Sequence, residues 1–175
     1  MEKSALVIID VQMAMFMEAV KPYRGDEVVA NICTLLNKAR EKCVPVVFVQ
    51  HDDEEMPRGS AQWQLHTALV PQDGEYHAYK QTRDSFYQTE LDSILKGLGV
   101  DTLVFCGLQT EYCVNATCSR AYTLGYRSYL ASDAHTTFDS SVLPAEQIIN
   151  HHNSFLRSGF LQVKTTQELL QLINQ

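Results

Sequence analysis

Long hydrophobic runs are missing from this 175-residue chain. The longest, Ala5–Ile9, Met13–Met17 and Cys43–Val49 with Pro45 inside it, fall far short of the roughly 20 residues a membrane helix needs. Glycine and proline are scarce, at 8 and 5, which excludes collagen-like and low-complexity chains. Basic residues are outnumbered, 14 against 21 acidic, for a formal net charge of −7. They form no basic stripe, so nucleic acid and anionic membranes are not expected partners. Met1-Glu2-Lys3-Ser4 lacks the basic region and the apolar stretch of about 7–15 residues that open a secretory signal. The 5 cysteines (33, 43, 106, 113 and 118) are odd in number and form no C-x-x-C pair. That favours free thiols in a reducing cytoplasm over a disulfide framework or a zinc ribbon. GxGxxG, GxxxxGK[ST], HExxH and GxSxG are also absent, which disfavours dinucleotide, P-loop, zincin and α/β-hydrolase chemistry.

What is present is a 45% hydrophobic chain of a length suited to one domain, taken as residues 1–175. Ala5–Ile9, Pro45–Val49, Thr102–Cys106, Arg127–Ala131 and Phe160–Val163 read as short buried strands, and Tyr76–Tyr79 as a further short one. Between them, Val28, Val29, Ile32, Leu36 and Ala39 recur at helical spacing, as do Leu91, Ile94, Leu95 and Leu98. Further helices are expected over Glu111–Leu124 and Pro144–Arg157, with Gly99, Gly125 and Gly159 as stops. Thr89–Asp92 reads as a capping-type start, and Thr165-Thr-Gln-Glu168 as a capping box opening a last helix. Strand and helix alternate throughout, which predicts an α/β domain with a mostly parallel sheet covered on both faces. Residues 51–75 stand apart as a long polar excursion holding the single Trp, and loops of that length are more often functional than idle.

Ligands of such sheets bind beyond the carboxyl ends of the strands. An acid (Asp10), a lysine (Lys80) and a cysteine (Cys113) all fall at that edge. Cys113 lies in the first turn of a predicted helix, where unpaired N–H groups can lower a thiol pKa. Taken singly, each residue has an ordinary reading: Cys113 as a small buried hydrophobe, Asp10 as a cap, Lys80 as a solvated surface charge.

The ordered blocks Ala5-Leu-Val-Ile-Ile-Asp-Val-Gln12, Lys80 with Ser85-Phe86 and Thr89-Glu-Leu91, Gly107-Leu-Gln-Thr-Glu-Tyr-Cys-Val114 with Thr117 and Ala121, Leu124-Gly-Tyr126 and Ser132-Asp-Ala134 carry a resemblance. The chain resembles the isochorismatase-like cysteine hydrolase superfamily, which includes nicotinamidases, N-carbamoylsarcosine amidohydrolases and ureidoacrylate hydrolases. The resemblance implies a three-layer α/β/α, Rossmann-like domain with about six strands and an Asp–Lys–Cys triad. By position these are Asp10, Lys80 and Cys113. It also implies a cis peptide between Leu108 and Gln109, with the N–H groups of Gln109 and Cys113 as an oxyanion hole. The implied activity is cleavage of a C–N bond in a small amide or ureide through a thioester, by a homodimer or homotetramer.

Gln12, Trp63, Gln64, His66 and Tyr112 are expected to face the substrate. Nicotinamidases of the superfamily typically hold a metal through an Asp-x-His pair and a later His. Here that stretch reads Gln50-His51-Asp52-Asp53-Glu54, so neither metal nor other cofactor is expected; His51, Asp52 and His66 are the residues that could still assemble one. The acidic run Asp52–Glu55 reads as a solvated loop that disfavours anionic substrates. Two other readings stand beside the cysteine hydrolase: a metal-dependent nicotinamidase-type enzyme, and a non-catalytic small-molecule-binding or thiol-sensing protein on the same fold.

Overall fold

In the computed structural model, which describes residues 3–17 and 19–173, strands and helices alternate. The elements are β1 (Ser4–Ile9), α1 (Ala14–Met17), α2 (Gly25–Glu41), β2 (Val46–His51), β3 (Tyr76–Lys80), α3 (Leu91–Gly97), β4 (Thr102–Leu108), a π-helical turn (Thr110–Val114), α4 (Asn115–Thr123), β5 (Arg127–Thr136), α5 (Ala145–Arg157), β6 (Gln162–Lys164) and α6 (Thr166–Ile173). The strands form one six-stranded sheet in the order β3-β2-β1-β4-β5-β6, and every pair is parallel.

The layering follows from the two-residue period of a strand. In β1, Leu6 and Ile8 turn to one side and pack with Ile32 and Leu36 of α2 and Leu169 of α6. Ala5, Val7 and Ile9 turn to the other side, with Leu91 and Leu95 of α3, Cys118 and Ala121 of α4 and Leu156 of α5. Helices thus cover both faces, and this is the three-layer α/β/α architecture. Each large core side chain is worth roughly 1.5–3 kcal/mol of burial.

Local signals set most of the ends. Asp26 and Glu27 sit in the first turn of α2 and Lys38 and Arg40 in its last, matching the helix dipole. Thr165 and Glu168 close the expected box, the Glu168 carboxylate accepting from Thr165 N–H at 2.7 Å and the Thr165 hydroxyl from Glu168 N–H at 3.3 Å. Gly99 and Gly125 stop their helices with φ of 68° and 86°. Other expectations need correction. Asp92 makes no return bond to Thr89; it pairs with Lys96 instead, at 2.6 Å, because an i,i+4 cation competes for it. Gly159 is not among the residues with positive φ, and α5 ends at Ser158 without that device. β5 runs on to Thr136 past a register shift against β4, and the helix expected from Glu111 begins as a π turn.

Gly107 is required by the sheet itself. It pairs with Ile9 in the β1–β4 register, its φ is +125°, and a Cβ there would lie 2.0 Å from the Ile9 carbonyl oxygen. Only glycine lets β4 leave β1 at this point.

Candidate active site

The strand order reverses between β1 and β4: β2 and β3 lie on one side, β5 and β6 on the other. Such a switch point leaves a crevice at the carboxyl ends of the two strands. Asp10 follows β1, and the segment from Gly107 to Cys113 leads out of β4. Lys80 closes edge strand β3, in register with His51 of β2, and its long side chain reaches inward until it is fully buried.

These three side chains meet. Lys80 Nζ lies 2.6 Å from Asp10 Oδ2 and donates to Cys113 Sγ at 3.3 Å. The Thr82 carbonyl takes a further N–H of the ammonium at 3.0 Å, and His51 Nδ1 stands 3.4 Å away. Asp10 itself has a φ of 49°, a left-handed conformation uncommon outside glycine and found often at functional sites.

The electrostatics give the resting protonation. Burial pulls the Lys80 ammonium down, but the charges and hydrogen bonds of Asp10 and Cys113 outweigh it, so its pKa lies above the ordinary value. Burial, then the Asp10 charge, push the Cys113 thiol up to about 12 against the opposing pull of Lys80. The thiol lowered by a helix N-terminus, expected from sequence, is therefore overturned: the neighbouring carboxylate and the dry surroundings win. At neutral pH Cys113 therefore rests as a thiol and Lys80 as an ammonium.

Cys113 is carried by the π turn. The Gln109 carbonyl accepts from both Tyr112 N–H (3.2 Å) and Val114 N–H (3.1 Å), the second closing a five-residue step. π turns of this kind recur at functional sites. The Leu108–Gln109 peptide just before it is cis. The end of β5 clasps the turn from behind: His135 Nδ1 pairs with Thr110 Oγ1 at 2.8 Å, and Thr137 Oγ1 donates to Glu111 Oε1 at 2.9 Å. Burial pushes the His135 pKa down to about 4, so the ring is neutral. Asn153 Nδ2 donates to the Ser132 carbonyl at 3.3 Å, which leaves Asn153 Oδ1 to accept from His135 Nε2 at 2.9 Å. The network thereby assigns Nδ1 as the acceptor for Thr110.

A cavity of about 350 Å³ opens over Asp10 and Cys113, with Lys80 buried behind them. Asp10, His51, Leu108, Gln109, Tyr112 and Cys113 help line it, and it is of a size for a small metabolite. Of the residues expected to face the substrate, Tyr112 and Gln12 do line it. The Gln12 amide is already committed, however. Its Nε2 donates to the His51 and Trp63 carbonyls, both at 2.9 Å, and its Oε1 accepts from His51 N–H at 2.8 Å. It staples the 51–75 excursion to β1. Trp63 and His66 are not lining residues: Trp63 packs on Tyr79, ring centroids 5.7 Å apart, and His66 packs edge-on to Phe16 at 4.7 Å. Gln64 contributes its carbonyl to Met13 N–H at 2.8 Å. Met15, Met56 and Arg83, not expected from sequence, also line it, as do Gln81 and Thr82.

Among the described residues no group of three His, Cys, Asp or Glu side chains could hold a metal ion. His51 Nε2 turns to Asp53 Oδ2 at 3.1 Å, Asp52 pairs with Arg58 at 3.1 Å, and His66 Nδ1 accepts Ala68 N–H at 3.2 Å. No helix among the described residues is long and apolar enough to cross a membrane, and all 5 cysteines are free.

Comparison with known proteins shows the family and the fold. The isochorismatase domain model matches residues 4–166. YwoC of Bacillus subtilis, an uncharacterized isochorismatase family protein, is 31% identical over 98% of this chain and 95% of its own. Streptothricin hydrolase of Streptomyces noursei is 34% identical over 80% of this chain, which spans about half (52%) of that protein's length. Among solved structures, an isochorismatase family protein superposes with a TM-score of 0.89 at 34% identity, covering 93% of this chain and 98% of that one. A cysteine hydrolase of Pseudomonas syringae pv. phaseolicola gives 0.93 at 22% identity, covering 98% and 92%, a likeness of fold.

Proposed function

The chain belongs to the isochorismatase family, and from that premise we propose that it is a cysteine hydrolase cleaving a C–N bond in a small amide or ureide. The observation that carries this reading is a single buried ammonium within 2.6 Å of a carboxylate and 3.3 Å of a sulfur, beneath a ligand-sized cavity. A purely structural Cys needs no such neighbours, and a binding protein needs no buried charge pair.

The steps follow from the resting protonation. Asp10 takes the thiol proton as Cys113 Sγ attacks the substrate carbonyl carbon. A thiol held near 12 needs that base, and Lys80 stabilises the sulfur anion as it forms. The tetrahedral oxyanion is received by the N–H groups of Gln109 and Cys113, each such donor being worth about 3 kcal/mol. The C–N bond breaks as Asp10 returns its proton to the departing nitrogen. Water then attacks the thioester, Asp10 accepts its proton, and C–S cleavage releases the acid and restores the thiol. Vinyl-ether cleavage, the reaction the family's name denotes, does not call for a nucleophilic thiol; the presence of Cys113 supports the C–N reading. The streptothricin hydrolase relative, 34% identical, supports hydrolysis through its name. The same reading takes the protein as a homodimer or homotetramer, which analytical ultracentrifugation tests.

The test is ammonia or amine release from a panel of primary amides and ureides, run beside Cys113→Ala. Turnover of at least one compound by the native protein, abolished in the variant, is expected. Full turnover in Cys113→Ala would refute the scheme.

A further inference from the structure

In the acidic run beside the cavity, Asp52 and Asp53 are both held by local partners, and none of the four acidic residues lines the cavity itself. Asp52 is engaged by Arg58 at 3.1 Å and by Gln81 Nε2 at 3.2 Å. Asp53 is engaged by His51 and by the N–H groups of Glu55 and Met56, at 3.0 and 2.8 Å. Asp10 and Lys80 cancel each other across 2.6 Å. The charge left over on the cavity wall is Arg83.

Arg83 differs from the other arginines. Arg24, Arg40, Arg58, Arg120 and Arg127 each face a carboxylate, and Arg157 donates to the Val163 carbonyl. The Arg83 guanidinium lies over the Tyr112 ring, 4.1 Å from its centroid. Among the described residues no side chain or carbonyl takes its N–H groups. Cation–π contact fixes a guanidinium while leaving its planar fork of donors unused. Tyr112, which holds it, is the neighbour of Cys113. The segment that carries it is pinned where Lys80 Nζ donates to the Thr82 carbonyl at 3.0 Å.

We propose that the site takes a substrate bearing a carboxylate, and that Arg83 is the specificity-determining residue that receives it. The fork of Arg83 offers the carboxylate two parallel N–H donors while the amide or ureide end reaches Cys113. In a chain of net charge −7, a cation on the cavity wall with no carboxylate partner among the described residues makes the cavity locally attractive to anions. The proposal rests on reading Cys113 as the nucleophile of this cavity, and it runs against the expectation that Asp52–Glu55 disfavours anionic substrates.

The test uses a matched pair of reagents, iodoacetate and iodoacetamide, which differ in charge. Alkylation is followed separately at Cys113 and at exposed Cys43 by peptide mass spectrometry. Normalised to Cys43, the iodoacetate-to-iodoacetamide rate ratio at Cys113 is expected to be raised roughly tenfold, the size of one charge-assisted hydrogen-bonded contact. It should fall to about unity in Arg83→Gln and lower still in Arg83→Glu. In a second arm, succinamate and succinamide are titrated calorimetrically into the Cys113→Ala protein. Succinamate should bind about tenfold tighter, and the difference should vanish when Arg83→Gln is added. Equal ratios at the two cysteines, ratios unmoved by Arg83→Gln, or no preference for succinamate, including no binding of either compound, overturns the assignment. These readouts do not require turnover. Failure here while Cys113→Ala still abolishes hydrolysis condemns the Arg83 role alone, and the converse condemns the nucleophile.

Discussion

The two halves of the same strands are chemically different. In their middle, β1, β2 and β4 are unbroken aliphatic and aromatic packing, with Ile8, Phe48 and Phe105 fully buried. At the carboxyl edge of the sheet the burial is as complete, yet the residues are Asp10, Gln12, Gln50, Lys80, Thr110 and His135. The first half needs only volume and apolarity, and many sequences would satisfy it. The second tolerates charge in a dry place only because each group has a partner at short range. A buried ion pair is poor evidence for stability; concentrated at one rim of one sheet, it marks where function was placed.

Breaking the rim is expected to have the largest effect. Asp10→Asn should lower turnover by roughly 10⁴-fold, the scale for losing one member of a catalytic triad. It should also cost about 3–5 kcal/mol of stability, because the Lys80 ammonium is left buried and unpaired. Asp10→Leu combined with Lys80→Met should regain most of the stability in urea denaturation and none of the activity. Recovery of activity in that pair would erase the distinction between the two halves.

Breaking the middle should do the reverse. Leu95→Ala in α3, fully buried, should cost about 2–5 kcal/mol with turnover per folded molecule unchanged. A matching fall in turnover would mean that the core also tunes the rim.

His135 sharpens the comparison through pH. Its pKa in the fold, about 4, lies below the roughly 6.5 of an unfolded chain. Protonation therefore favours the unfolded state. The stability it contributes is complete above about pH 6.5 and is lost as pH falls towards 4, by about 3 kcal/mol at most. Urea midpoints measured between pH 7 and pH 4 should fall less steeply in His135→Gln than in the native protein; parallel curves would contradict this.

The smallest effect lies far from the rim. Thr165→Ala removes the cap of α6 and should cost about 1 kcal/mol, seen as a shift of a few degrees in Tm with activity intact.

Much of the architecture was legible because it rests on short-range rules. The apolar run Ala5–Ile9, the helical spacing from Val28 to Ala39 and the Thr165–Glu168 box each declare an element without reference to the rest of the chain. Asp10, Lys80 and Cys113 were legible as candidates because each follows a readable strand. Trp63 and His66 were misplaced as substrate-facing residues. Nothing local in the 51–75 excursion says which way a loop side chain turns, and Gln12 decides it by pinning the backbone from β1. Arg83 escaped notice because its meaning is negative: the other arginines have found partners, and that is visible only when the partners are in place.

By itself, then, the amino-acid order determined the alternation of strand and helix, the residues available at the strand ends and the caps and glycine stops that close several helices. Those are consequences of period, propensity and backbone sterics acting over a few residues. Only the tertiary structure decided that β1 and β4 form the switch point, and that an edge-strand lysine would reach a carboxylate across the sheet. It also decided that burial would raise the Cys113 thiol where its place in the sequence suggested a lowered one. Charge and desolvation act between groups far apart in the chain, so their balance is settled by the packing that brings those groups within a few ångströms.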